Sequence, residues 1–207
     1  MYLYGLFQLA FGVALIAHAN LGVQPTQIPN YVLSLATGLT FGTWVFLTLV
    51  FYTVLQIPIL GKEFRWFQFS QIIIAFFFGY FVDFWVFALH HISLPNYFAQ
   101  LLALCLGIIA IASGILLYMS AKLINLPVDA LVAAISEKFM GGRFARARLF
   151  ADATLLTTGL LLSLVFLGGV YGIREGTVIA ALCIGRCMPY ARRVLSPVLN
   201  KIGIEMY

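Results

Sequence analysis

The stretch Leu15-Ile16-Ala17-His18-Ala19-Asn20-Leu21-Gly22-Val23-Gln24-Pro25 decides the architecture. An apolar run meets a short polar break containing a glycine, and a proline follows. An apolar run, a short polar break and a proline recur at Leu117-Tyr118-Met119-Ser120-Ala121-Lys122-Leu123-Ile124-Asn125-Leu126-Pro127, a shift of 102 residues, with Ile124 in place of the glycine. That shift places Gly5, Ala10, Gly12, Leu15, Ala19, Leu21, Pro25 and Ser34 on Gly107, Ala112, Gly114, Leu117, Ala121, Leu123, Pro127 and Ser136 without a gap. The paired glycines and prolines are not bulk apolar residues, so biased composition does not account for them. A second register, shifted by 106, places Ile73, Ala75 and Gly79 on Ile179, Ala181 and Gly185.

Working outward, the composition names the solvent. The 207 residues are 63% hydrophobic and 9% charged, with mean hydropathy +1.03. A soluble domain is about half apolar and roughly a quarter charged. Too few polar side chains remain to cover a water-facing surface. A soluble enzyme, a nucleic-acid binder and a disordered chain are excluded, and an all-α integral membrane protein is expected. Its first partner is the lipid bilayer.

A spanning helix needs about 20 mostly apolar residues. Six stretches qualify: Tyr2 to about Leu21, Thr43 to Leu60, Phe67 to Leu89, Tyr97 to Leu123, Leu149 to Gly168, and Thr177 to about Val194. The first reads as a retained span, because no basic region precedes it. The connections 22–42 and 124–148 are long and partly apolar. Each carries a proline and then a short helical run (Tyr31–Leu35, Ala130–Ile135), which is too short to cross but suits a re-entrant or interfacial half-helix.

Charge then orients the chain. With six spans, one side holds Lys62, Arg65, Lys138, Arg143, Arg146, Arg148, Arg192, Arg193 and Lys201, and the other holds Arg174. The positive-inside rule places both termini in the cytoplasm. The chain divides into halves 1–95 and 96–207 with three spans each. An odd number makes the second half an inverted copy, a pattern that points to transporters. Lys122 is expected to snorkel to the inner surface.

At Ala19-Asn20-Leu21-Gly22-Val23-Gln24-Pro25 and Gly38-Leu39-Thr40-Phe41-Gly42-Thr43 the sequence resembles the YczE/YyaS/YitT group of bacterial membrane proteins. Leu126-Pro127-Val128-Asp129 is similar to that group's second Pro-x-Asp element. Arg143 to Asp152 and Gly176-Thr177-Val178 with Gly185 match its later motifs. The resemblance covers nearly the whole chain and implies a multi-pass protein of the bacterial cell (inner) membrane. Thr26-Gln27 stand where the group has an aromatic residue and an Asp.

Ionisable residues at membrane depth are functional candidates by default. Asp129 follows Pro127 in the first turn of a short helix, where a carboxylate either caps the helix or binds a proton, cation or cationic group. Asp83 lies deep in the third span and Arg186 midway through the sixth, with Asp83 and Asp152 as candidate partners for Arg186. His18, one turn before the first break, is a proton site or a satisfied contact to broken backbone. Arg148 and Asp152 are four apart and can pair. Asn20, Gln24, Thr26, Gln27 and Asn30 surround the first break; Asn125 and Asp129 flank the second. Unwound backbone is tolerated in lipid only where protein or a water-lined cavity covers it. The two breaks therefore form the leading substrate site, near the midplane.

There is no His-Glu-x-x-His, Gly-x-Ser-x-Gly or Walker lysine, so no enzyme activity and no cofactor are expected. Cys105, Cys183 and Cys187 all lie in apolar segments and form no disulfide framework. Neither Cys183 with Cys187 nor His90 with His91 makes a metal site. Small-x-x-x-small pairs (Ala10/Ala14, Ala103/Gly107, Ala110/Gly114, Ala181/Gly185) build either the monomer core or a homodimer face. Two functions follow. One is a secondary transporter or channel-like carrier for a small solute or ion. The other is a non-transporting assembly or regulatory subunit whose basic run (Lys138, Arg143, Arg146, Arg148) contacts a partner or anionic lipid.

Overall fold

A computed structural model describes residues 1–121 and 123–201, without the side chains of 197–201. Lys122 lies outside the described residues. Among those described, every regular element is helical. In order they are α1 (Tyr2–His18), a 3-10 turn (Pro25–Gln27), α2 (Ile28–Thr37), α3 (Phe41–Leu60), α4 (Ser70–Leu89), α5 (Tyr97–Ser120), α6 (Pro127–Phe139), α7 (Phe144–Leu167) and α8 (Glu175–Lys201). Short 3-10 turns at Gly61–Glu63 and Trp66–Phe69 join α3 to α4.

Among the described residues, four helical stretches are long and apolar enough to cross a membrane: Phe41–Glu63, Trp66–Leu89, Tyr97–Ser120 and Phe144–Leu167. The other two expected spans fall short for different reasons. Helix α1 is apolar but has 17 residues, about 26 Å at 1.5 Å per residue. Helix α8 has 27 residues but carries Arg186, Arg192 and Arg193. Helix α3 continues through Pro58 and stops at Gly61, whose φ of +55° only glycine adopts freely. The two post-proline runs are real helices of 10 and 13 residues, too short to cross.

The chain separates into two compact units. The first comprises Met1–Gln24, Phe81–Leu123 and Val170–Tyr207. Its centre is α1 packed along α5. A β-carbon on Gly12 would stand 2.7 Å from the Gly107 carbonyl oxygen, and one on Gly114 would stand 3.0 Å from that of Gly5. Gly5 and Gly107 meet Gly114 and Gly12 reciprocally, at 3.1 Å in each case. Gly5 facing Gly114 and Gly12 facing Gly107 makes the two helices antiparallel. Gln8 donates across the seam to Ser113 at 2.6 Å. Trp85 donates from α4 to the Phe7 carbonyl at 3.1 Å, within a cluster that includes Phe11, Phe81 and Phe84. Of the small-residue pairs, Ala10, Ala14, Ala103, Gly107, Ala110 and Gly114 are buried in this core. Ala181 and Gly185 are exposed.

The second unit comprises Pro25–Tyr80 and Ile124–Gly169. Here α2 packs on α7, and α3 packs on α6. Gly159 of α7 lies against Ile28 and the Pro29 nitrogen, so α2 begins in direct contact with the α7 backbone.

The glycine seam gives a stability test. Gly12→Val inserts side-chain atoms where α5 backbone already stands, so it should cost about 1–3 kcal/mol as overpacking. Gly185→Ala meets nothing within 4 Å and should be neutral or stabilising by up to about 1 kcal/mol through helix propensity. Thermal unfolding of the detergent-solubilised variants reads both.

Candidate functional site

In the first unit, the break after α1 is held by hydrogen bonds rather than left as open coil. Asn20 sits at φ +55° and Gly22 at φ +99°. A β-carbon on Gly22 would meet Thr177 Oγ1 at 2.5 Å, which leaves room for glycine only. Val23 N–H donates to the Gly172 carbonyl at 2.9 Å, and Gly176 N–H donates to the Leu21 carbonyl at 2.8 Å. Arg174 donates to the Asn20 carbonyl at 2.8 Å and pairs with Glu175 at 3.1 Å. His18 Nε2 donates to the Ile92 carbonyl at 2.6 Å in the tautomer that carries a proton there. Asn20 is exposed and Gln24 half-buried. Asp83 is half-buried on α4 and Arg186 exposed on α8. Arg148 pairs with Asp152, so of the two carboxylates considered for Arg186 one is engaged elsewhere.

The second unit contains both prolines, each buried at the start of its short helix. Three polar clusters surround these starts. After Pro25, Asn30 donates to Gln27 Oε1 at 2.8 Å and accepts from the Thr48 hydroxyl at 2.6 Å. Gln27 and Asn30 are 8% and 3% exposed, so these amides are buried and satisfied by one another. Thr26 is half-buried and Asn125 exposed. At Pro127, Gln56 of α3 donates to the Pro127 carbonyl at 3.3 Å and to Gln71 Oε1 at 3.0 Å. Gln56 is fully buried.

The third cluster is ionic. Arg148 Nη1 binds Asp129 at 2.8 Å, and its Nε binds Asp152 at 3.4 Å. The three side chains are 33%, 23% and 27% exposed, respectively for Arg148, Asp129 and Asp152. Helix α6 is capped by Leu126 with no side-chain bond, so Asp129 is a first-turn residue and not the cap. With its three side chains ionised the triad carries one net negative charge, which favours a cation or a proton donor over an anion, and the N-terminus of α6 partly offsets that charge.

The spacing of four between Arg148 and Asp152 showed their pairing, but not the reach to Asp129, 19 residues back. Thr48, Gln56 and Gln71 were also missed. Gln56 is the one amide in α3, and that oddity is the signal that could have found it. The Gln27 position has its own meaning: the 102-residue shift places it on Asp129, so the first half holds a neutral amide where the second holds a carboxylate.

A family model described as a family of unknown function (DUF6198) matches residues 1–193. The chain belongs to that family. It is also 32% identical over 141 residues to the uncharacterized membrane protein YczE of Bacillus subtilis (strain 168). That match takes in 66% of this chain and 62% of the relative, so the chain spans less than two thirds of its curated relative's length. The YczE-type likeness read from the break motifs therefore stands, and with it a membrane protein. No solved structure matches the chain.

Arg148→Gln leaves two half-buried carboxylates facing each other without their cation. It should cost about 1–3 kcal/mol, less than a fully buried pair because the site is partly wet. Lys138→Gln, which removes an exposed partner of Glu63, should cost under about 1 kcal/mol. Chemical denaturation in mixed micelles, read by circular dichroism, ranks the two.

Proposed function

We propose that the protein is a secondary transporter or channel-like carrier for a small solute or ion. Its architecture is six transmembrane helices arranged as two inverted three-helix repeats, 1–95 and 96–207. The observation that carries this reading is the exchange of partners in the second unit. The first half's short helix α2 packs on the second half's α7, and the second half's α6 packs on the first half's α3. Swapping the halves turns one contact into the other, as an inverted repeat requires. The antiparallel glycine seam obeys the same exchange, since the 102-residue shift converts Gly5 facing Gly114 into Gly107 facing Gly12.

Hydrogen bonds support the sidedness. Lys138 reaches Glu63 at 3.1 Å, which brings together the 61–66 and 124–148 connections assigned to the cytoplasm. Residues 20–23, Ile92 and 172–176, all assigned to the opposite side, are joined through His18, Arg174 and backbone bonds. In this reading both termini are cytoplasmic in the bacterial inner membrane, and α2 and α6 enter without crossing. Gln27, Asn30, Asp129, Arg148 and Asp152 line the solute path. Asp129 binds the coupling cation, with His18, Asp83 and Arg186 as further coupling candidates.

A second reading, a non-transporting assembly or regulatory subunit, is favoured by the closure of Gln27, Asn30 and Gln56 on protein partners. A carrier needs those bonds to exchange with solute; a structural subunit does not.

Two measurements test the proposal. Single cysteines at Ser93 and Lys62, in a background lacking the native three, should react with impermeant maleimide from opposite sides of the membrane; labelling from one side ends the six-crossing topology. Liposomes holding the purified protein and a pH dye should show proton movement when amino acids, carboxylates or sodium ions are added outside. Folded Asp129→Asn should lose at least tenfold of that rate, about 1.4 kcal/mol or more at the barrier. Equal rates in the variant, or no movement and no solute-dependent thermal shift with any of these probes, would favour the structural subunit.

A further inference from the structure

A group of exposed aromatic and basic side chains in the second unit has no role in the reading above. Trp66 is 87% exposed, Phe67 68%, Phe139 72% and Phe144 47%. In three places a basic residue directly precedes an exposed aromatic one: Arg65-Trp66, Lys138-Phe139 and Arg143-Phe144. The Lys138–Glu63 bridge ties the 61–69 connection to the end of α6, so these pairs belong to one end of the unit. Arg146 and Lys62 are exposed beside them.

The corner that presents Phe139 and Phe144 is a built turn. Met140 and Gly142 N–H groups both donate to the Ser136 carbonyl, at 3.1 and 2.9 Å, and Phe144 N–H donates to the Gly142 carbonyl at 2.9 Å. Gly141 and Gly142 take φ of +57° and +77°, which reverses the chain between α6 and α7. Among the described residues, Lys62, Arg65, Arg143 and Arg146 are in no ion pair. Arg148, once counted with this basic run, is withdrawn into the triad with Asp129 and Asp152.

We propose that this surface binds the headgroups of anionic phospholipids. Tryptophan is enriched at the level where acyl chains meet headgroups, which suits Trp66. Cations on the residues before Trp66, Phe139 and Phe144 then reach the phosphate layer. Lys62, Arg65, Lys138, Arg143 and Arg146 against Glu63 and Glu137 leave the surface net positive. Basic side chains near an anionic leaflet each contribute about 1 kcal/mol, or roughly fivefold in affinity. The topology rule asks only for the charges; it does not ask for an exposed ring next to three of them.

The test uses the full-length protein in nanodiscs of pure phosphatidylcholine and of phosphatidylcholine mixed with phosphatidylglycerol. Phosphatidylglycerol should raise the unfolding midpoint of the wild type, and raising salt should shrink that gain. Arg65→Gln/Arg143→Gln/Arg146→Gln should lose most of the gain. Arg192→Gln/Arg193→Gln, which removes cations from the other unit, should keep it. Trp66→Ala/Phe139→Ala should lose part of it with no change of charge. If the triple variant does not fold, Arg143→Gln alone should lower phosphatidylglycerol affinity by about fivefold. No gain in the wild type, an equal loss in Arg192→Gln/Arg193→Gln, or a full gain in Trp66→Ala/Phe139→Ala overturns the proposal.

Discussion

Everything in the first unit depends on two helices approaching until backbone meets backbone. Lipid offers no hydrophobic drive to bring helices together, because acyl chains are as apolar as leucine. Close packing has to supply the attraction, and dispersion falls off within an ångström of contact. Gly5, Gly12, Gly107 and Gly114 remove the side chains that would hold α1 and α5 apart. The approach is closest where a glycine of one helix faces a carbonyl of the other, so the four positions fix the register as well as the distance. The antiparallel sense follows from the same contacts.

A helix that ends inside such a structure leaves backbone groups to be satisfied. The chain meets that demand differently at its two breaks. After α1, the loop backbone bonds to the start of α8. At the starts of α2 and α6, side chains from α3 and α7 are brought in. The first half uses neutral groups, Gln27, Asn30 and Thr48. The second half uses charges, Asp129, Arg148 and Asp152. A neutral network is cheaper to bury and holds one arrangement. A charged one is costly unless complete, and it responds to anything that alters one member. In the proposed mechanism this contrast between a neutral and a charged cluster gives the second the coupling role.

The elements were legible because lipid writes them as long apolar runs punctuated by Pro and Gly. The expected short runs Tyr31–Leu35 and Ala130–Ile135 fall inside α2 and α6, which extend further on both sides. The spacing of the paired glycines was legible too, at Gly5, Gly12, Gly107 and Gly114. What the glycines touch was not, because a run that is apolar on every face does not tell which face is inward. Thr48, Gln56 and Gln71 escaped for a related reason: their partners lie 15 to 71 residues away, and spacing encodes only neighbours on one helix. His18 shows the limit from the other side. Its two readings were open in the sequence, and a carbonyl 74 residues along receives it.

The proposed sixth crossing rests on α8, and its chemistry can be weighed. Between Glu175 and Arg192 there are 16 residues with one charge, Arg186. They extend about 24 Å as a helix, close to the hydrocarbon thickness. An arginine at the centre of a crossing costs about 2.5–3.5 kcal/mol on insertion scales, and its stem lets the guanidinium reach toward the nearer headgroups. Val178, Leu182 and Tyr190 are exposed along that stretch. At about 1.5–3 kcal/mol for each large side chain taken out of water, their transfer into lipid more than offsets the single arginine. A non-crossing α8 would put Arg192 and Arg193 on the same side of the membrane as Arg174. The balance of apolar surface against one charge therefore supports the crossing proposed for α8.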